Sequence, residues 1–317
     1  MKYILTTICL WLCLSQILAQ EANKDKSVSI NVVEPIGETI TDEAAIYFVS
    51  KMQRLIATNG LVDNGFNERF VLTARVNTIS RDITQTAPVR ISQKLEIIFF
   101  IGDVQENKLY SSTSLMVSGI GTSETKSLMS AFQRISSQNE KLQTFIEEGK
   151  NKIVDYYSSN CDDIIARAKS LASKQQYEEA IHTLILVPDV CSECFQRCQK
   201  AMEPIYKQMI DVNGLSLLTK AKAIWSNNPT NNGAEQAFQL TSQINTKAAC
   251  FKEVQIFHNT IAQKLSDDEK QRWEFEMKKY EDSQAFKRTI LEVCKAIGVA
   301  WGSNQPKSVV KNIIRRW

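Results

Sequence analysis

The chain has 317 residues, with 38 basic and 35 acidic side chains, a formal net charge of +3, eight cysteines and two histidines. Nucleic-acid-binding proteins usually carry an excess of basic residues, which this nearly balanced composition lacks. Nucleic-acid binding is therefore set aside. The length allows one large hydrophobic core or two smaller ones.

The chain begins with a segment typical of a secretory signal peptide. Lys2 precedes a largely apolar stretch, and the small residue Ala19 precedes the polar sequence QEANKDK. Because the stretch is too short to span a bilayer comfortably, we expect residues 1–19 to be removed on export. Three bulky residues precede Cys13 and disfavour its acylation. No later stretch predicts a transmembrane span, so the mature protein is expected to be soluble.

Residues 27–158 predict an α+β sandwich domain. SVSINVVEP alternates as a strand does, and residues 42–60 carry apolar side chains at helical spacing. Strand candidates then follow at 69–80, 89–103 and 108–121, and helix candidates at 123–137 and 139–160. This order predicts helices packed on a mainly antiparallel sheet. The middle strand ends in LEIIFFI and should be covered on both faces.

From Cys161 onward every apolar stripe has a helical period, which predicts an all-α domain over residues 161–264. Two stretches of this domain are weakly similar to each other. They are RAKSLASKQQYEEAIHTL, followed later by CF at 194–195, and KAKAIWSNNPTNNGAEQAFQL, followed by CF at 250–251. The alignment places a longer turn, SNNPTNNG, in the second copy. One helical hairpin cannot bury its own apolar face, so a stack of hairpins is predicted.

Two stretches resemble known families. AKSLASKQQYEEAI resembles the helix-turn-helix of a tetratricopeptide-type repeat, with Ala168 and Ala180 at the close helix contact and Tyr177 at the turn. The stretch from Phe70 to Ile135 is similar to domains of flagellar-assembly and curli-secretion lipoproteins and of lipoprotein activators of penicillin-binding proteins. This resemblance implies a bacterial envelope protein, periplasmic or secreted, although this chain lacks a suitable acylation cysteine.

Residues 265–317 predict a long, half-exposed helix that starts at Ser266, followed by an amphipathic tail. The tail, PKSVVKNIIRRW, would place its apolar residues on one face. Docking of this face onto the last hairpin is favoured over peripheral contact with a membrane surface or a partner. The apolar residues of the tail are Val309, Val310, Ile313, Ile314 and Trp317.

Six cysteines remain after removal of the signal segment, all in the second half of the chain. An even number in an exported chain predicts disulfides, whose connectivity the sequence does not reveal. The candidates are Cys161, Cys191, Cys194, Cys198, Cys250 and Cys294.

The segment CSECFQRC, residues 191–198, admits three interpretations. Zinc would need a fourth ligand, which only the fold could bring, from His182 or Cys161. Redox chemistry at C-x-x-C is typical of a βαβ context, whereas this context is helical. A bridge from Cys161 to residues 191–198 is favoured, because the start of one helix of a hairpin lies beside the end of the next. No metal or cofactor is therefore predicted.

Catalytic motifs are weak. Ser123 and Lys126 match the S-x-x-K of serine acyl-enzymes, but no K-T-G follows, and Thr122 or Ser123 is better placed as a helix N-cap. Both histidines, His182 and His258, lie in predicted helices and are expected to be packed or half-exposed there.

The sequence favours an exported, non-enzymatic envelope protein that binds or scaffolds a protein or peptide through its helical repeats. An envelope acyl-enzyme that uses Ser123 and Lys126 is one alternative. A structural or pore-type subunit of a secretion assembly is the other.

Overall fold

The computed structural model describes residues 28–37, 40–63, 69–85, 87–264 and 289–304. The signal-type segment, most of the helix predicted from Ser266 and the apolar tail lie outside these ranges.

The described residues form two compact units. The first, called here the α+β unit, comprises those up to Cys161 with Leu186–Gln196 and residues 302–304. The second, called the helical unit, comprises Asp162–Ile185 and the described residues from Arg197 to Trp301. Leu186–Gln196, which the sequence analysis assigns to the helical domain, therefore clusters with the α+β unit.

The α+β unit contains the predicted elements in the predicted order, together with a short strand, β3, that is not predicted. Its elements are β1 (Val28–Ser29), β2 (Asn31–Val32), α1 (Asp42–Ala57), β3 (Leu61–Val62), β4 (Phe70–Ile83), β5 (Ile91–Asp103), β6 (Lys108–Gly121), α2 (Glu124–Gln133) and α3 (Glu140–Ser159).

The first predicted strand is divided in two because the chain changes partner at Ile30. Strand β1 pairs with β3 and strand β2 pairs with β4, both in parallel. The backbone N–H of Ile30 donates to the carbonyl of Val62, and that of Val33 donates to the carbonyl of Leu72. The local alternation of SVSINVVEP does not indicate these parallel pairs.

The main sheet has the order β2-β4-β5-β6 and is mixed. Strands β4, β5 and β6 form an antiparallel meander, in which Leu72 lies opposite Ile101 and Phe99 opposite Thr113. Successive side chains of a strand point to opposite faces, and both Phe99 and Phe100 on β5 are buried. The prediction that this end of β5 is covered on both faces is confirmed.

Three helices cover one face of the sheet with an aromatic core. The ring of Phe48 on α1 stacks at 6.2 Å from Phe99 on β5 and meets Phe132 on α2 edge-on at 5.3 Å. Phe145 on α3 lies 6.1 Å from Phe99. Each buried phenylalanine contributes about 2 to 3 kcal/mol through removal of apolar surface from water.

The remaining described helices form the helical unit, apart from Cys161, residues 192–196 and the last residues of the final helix, which cluster with the α+β unit. The period of the sequence predicts their helical structure. They are α4 (Cys161–Ser173), α5 (Tyr177–Ile185), α6 (Ser192–Asn227), α7 (Asn231–Thr241), α8 (Phe251–Ala262) and α9 (Ile290–Ser303). Among the residues that the structure describes, none of the helices combines the length and the apolar character needed to cross a membrane.

The prediction of a longer turn in the second helical hairpin is wrong. Residues 174–176 join α4 to α5, and residues 228–230 join α6 to α7, so the two links have the same length. Helix α6 extends to Asn227, inside the expected turn SNNPTNNG, and the N–H of Asn228 still donates to the carbonyl of Ile224. Helix α7 starts at Asn231, also inside this segment. The extra residues of the second copy therefore lie in helices.

Candidate functional site

The structure brings Cys161, at the start of α4, and Cys194, in the first turn of α6, together as a disulfide with a Cα–Cα distance of 5.6 Å. Both residues belong to the α+β unit. This pairing is consistent with the expected bridge from Cys161 to residues 191–198. Cys191, Cys198, Cys250 and Cys294 remain buried thiols.

The environment of Cys191 disfavours the thiolate form of this cysteine. Its thiol donates to the carbonyl of Val154 at 3.6 Å, and burial raises its pKa above the ordinary value. Burial likewise raises the pKa of Cys198 to about 11. A catalytic cysteine needs the opposite shift, because the thiolate is the nucleophile.

Ser123 acts as a helix cap. Its hydroxyl accepts a hydrogen bond from the backbone N–H of Lys126 at 3.2 Å, as the N-cap of α2. The capping prediction is confirmed, and this geometry gives the acyl-enzyme alternative no support.

Helix α2 lies directly against the end of β6. A side chain at Gly119 would meet the backbone of Ser127 and Ala131, so only glycine allows this approach. The hydroxyl of Ser127 donates to the carbonyl of Gly119 at 3.1 Å, and the N–H of Ile120 donates to Ser130 Oγ at 3.4 Å. Strand β6 therefore depends on α2 at this end.

Both histidines lie in helices and their side chains are packed against neighbouring residues, as predicted. His258 on α8 is 3% exposed, and its Nε2 lies 2.7 Å from Thr241 Oγ1 on α7. Burial lowers its pKa to about 4. His182 on α5 lies with its Nδ1 2.9 Å from the carbonyl of Gly298 on α9.

A groove of about 240 Å³ opens on the helical unit. The link between α4 and α5, the first turn of α5, helix α6 and the end of α9 form its wall. The ring of Trp301 packs against the ring of His182, with 4.7 Å between the two ring centroids. The lining residues are Gln175, Gln176, Tyr177, Glu178, Glu179, Met209, Asn213 and Trp301.

The link between α4 and α5 is a tight turn that ends α4. The N–H of Gln176 donates to the carbonyl of Leu171, and the N–H of Gln175 donates to that of Ala172. These bonds form a Schellman motif, and Gln175 takes the left-handed position with φ 64°. Glycine adopts this conformation at least cost, yet the position holds a glutamine that lines the groove.

Only part of this groove has a signal in the sequence. The pattern marks Tyr177 as the turn residue, but no pattern marks Trp301, Met209 or Asn213 as site residues. These residues come from distant parts of the chain, and nothing in their local sequence indicates that they meet.

A buried ion pair in the α+β unit also has no signal in the local sequence. Arg69 lies 2.6 Å from Asp103, whose side chain is fully buried, and its guanidinium is 3.9 Å from the centroid of Tyr156. Asp103 also accepts hydrogen bonds from the backbone N–H groups of Gln105 and Glu106 at 2.9 and 3.1 Å. This network holds the turn between β5 and β6.

Comparisons with known proteins give no family. No family model and no curated protein matches the chain. Part of the chain is similar to solved bacterial structures. A singly substituted form of the PelC dodecamer from Paraburkholderia phytofirmans has 17% identity and a TM-score of 0.25, with 36% of this chain and 86% of that chain covered. A minor lipoprotein from Acinetobacter baumannii has 18% identity and a TM-score of 0.23, with 40% and 93% covered.

Proposed function

We propose that this chain is an exported, non-enzymatic protein of the bacterial envelope that binds a protein or peptide partner in the groove of its helical unit. The groove carries the proposal, because it combines aromatic, amide and carboxylate side chains from three helices and one link at one place. The signal-type start of the sequence and the Cys161–Cys194 disulfide support an oxidising, exported location.

The size of the groove favours a peptide over a cofactor. Pockets for small molecules usually have volumes of roughly 300 to 1,000 Å³. A groove of about 240 Å³ is smaller and suits one or two side chains of a bound chain. Peptide recognition of this kind uses anchor residues in shallow pockets.

We also propose that the helices repeat as tetratricopeptide-like hairpins. The support is internal, because the links 174–176 and 228–230 have equal length. In addition, a Cys-Phe pair lies at the start of the next helix in each copy, at Cys194 and Phe195 for α6 and at Cys250 and Phe251 for α8. Grooves between such hairpins are the usual binding surfaces of helical repeats.

Selection from a displayed library of random peptides tests the binding function. We expect enriched peptides to bind the full chain, purified without reductant, and to lose at least tenfold in affinity for Trp301→Ala. Leu215→Ala is the matched control, because Leu215 on α6 is 56% exposed and does not line the groove. Failure to enrich any peptide, or equal loss in both variants, contradicts the proposal.

A further inference from the structure

We infer that the groove receives a cationic side chain of the partner, and specifically a guanidinium group. This inference rests on the proposed function, since it names the chemistry of the peptide that the groove binds.

The charge of the described groove lining is negative. Among the lining residues that the structure describes, Glu178 and Glu179 are acidic and none is basic. Among the residues that the structure describes, neither carboxylate forms an ion pair, and the Glu179 carboxylate only accepts a hydrogen bond from Gln176 Nε2 at 3.4 Å. A bound cation would therefore meet two carboxylates without displacing a cation of these described residues.

The start of α5 does not offset this charge. A helix N-terminus carries roughly half a positive charge, which favours anions and explains why carboxylates are common there. Two full carboxylate charges exceed it. An anionic ligand is thus repelled, and the choice lies between a neutral and a cationic occupant.

The aromatic wall favours the cation. Trp301 and Tyr177 both line the groove, and an indole ring is the best aromatic partner for a cation. The position of Trp301 is fixed in advance, because His182 packs against it at 4.7 Å and is itself anchored to the carbonyl of Gly298. A prearranged ring lowers the cost of ordering on binding.

The same chemistry already holds an arginine elsewhere in this chain. In the α+β unit the guanidinium of Arg69 lies over the ring of Tyr156 at 3.9 Å and pairs with Asp103 and Glu106. The same guanidinium also donates to Gln105 Oε1 at 3.2 Å and lies 5.5 Å from the centroid of Phe70. The lining of the groove contains the same kinds of group, an aromatic ring and two carboxylates.

The amide side chains select arginine over lysine. Gln175 lines the groove from a left-handed backbone position that a non-glycine residue adopts only with strain. Its amide oxygen and that of Asn213 are acceptors for additional N–H groups. A guanidinium has five donors in a planar fork, whereas an ammonium has three on a compact charge.

The test compares N-acetyl-L-arginine amide with its neutral and nearly isosteric counterpart, N-acetyl-L-citrulline amide. Each is titrated into the full chain labelled with ¹⁵N, and the indole N–H signal of Trp301, assigned with Trp301→Phe, reports binding. We expect the arginine derivative to bind at least tenfold more tightly than the citrulline derivative. The lysine derivative should bind with intermediate affinity.

The variant Glu178→Gln/Glu179→Gln should remove the preference for arginine, leaving the two affinities within about twofold. Glu203→Gln/Glu235→Gln makes the same change of charge at exposed sites outside the groove and should keep the preference. Equal binding of both derivatives, or no shift of the indole signal with either, overturns the inference.

The proposed function fails separately. If selected peptides bind through Trp301 but contain no arginine or lysine, peptide binding stands and the inference is wrong. If no peptide is enriched, the binding function itself is wrong.

Discussion

His258 makes the stability of the helical unit depend on pH. It is 3% exposed and packs among the rings of Phe238 and Phe257, at 6.0 and 6.3 Å between centroids. Burial disfavours the charged imidazolium and lowers its pKa from 6.5 to about 4. In the unfolded chain the same imidazole takes up a proton near its ordinary pKa.

The unfolded state therefore binds the proton first as the pH falls. The stabilisation is complete above pH 6.5 and is lost progressively as the pH drops toward 4. A difference of about 2.5 pH units corresponds to a maximum of about 3 kcal/mol in the free energy of unfolding, at 1.36 kcal/mol per unit. At about pH 4.5 the expected loss relative to about pH 7 is about 2.5 kcal/mol.

Urea unfolding followed by far-ultraviolet circular dichroism tests this linkage. The wild type is compared with His258→Gln, which keeps a polar partner for Thr241 but does not titrate in this range. The wild type should lose about 2.5 kcal/mol more than the variant between about pH 7 and about pH 4.5. Carboxylates titrate equally in both proteins and cancel. Equal losses in the two proteins would refute the reasoning.

Three further predictions concern stability. In chemical denaturation, Asp103→Ala should lower the free energy of unfolding by about 3 to 5 kcal/mol, because it leaves the largely buried Arg69 without its buried carboxylate. The side chain of Glu106 is 50% exposed, so Glu106→Ala should lower the free energy of unfolding by less than about 1 kcal/mol. Cys161→Ser removes a disulfide with a sequence separation of 33 and should lower the free energy of unfolding by about 3 to 4 kcal/mol. Reductant should cause the same loss in the wild type and no loss in the variant. Gly119→Ala pushes a methyl group into the backbone of α2 and should lower the free energy of unfolding by about 3 kcal/mol or more in urea titrations, while Ser118→Ala should have little effect.

Much of the α+β unit could be predicted because its signals are local. Strands β4, β5 and β6 are long and have clear turns between them, and the sequence places β6 at 108–121, as observed. The N-cap at Ser123 and the burial of Phe99 and Phe100 follow from the same local rules.

Features that depend on long-range contacts could not be predicted. The division of the first strand at Ile30 is decided by partners on β3 and β4, which the local alternation does not identify. The pair of Arg69 and Asp103 joins residues 34 positions apart in the sequence. Arg69 directly precedes β4 and Asp103 is the last residue of β5, and neither position shows in the local sequence that the two side chains meet.

The candidate groove shows the same limit. The sequence marks the turn before α5, because KQQYEEA has the composition of a helix entry. It does not indicate that Trp301 lies beside that turn, since α9 reaches α5 through packing at His182 and Gly298. The binding face is therefore a tertiary property of the helical unit.

The contact between β6 and α2 also bears on aggregation. Strand β6 is the outer strand of the sheet that the described residues form, and residues 109–121 carry no charge. Such an edge could pair with other extended chains during folding. Helix α2 begins at Glu124, directly after β6 ends, and its serines reach Gly119 and Ile120 across a very short loop. Closing such a loop costs little entropy. We therefore expect α2 to dock early against this end of β6 and to limit its pairing with other chains during folding.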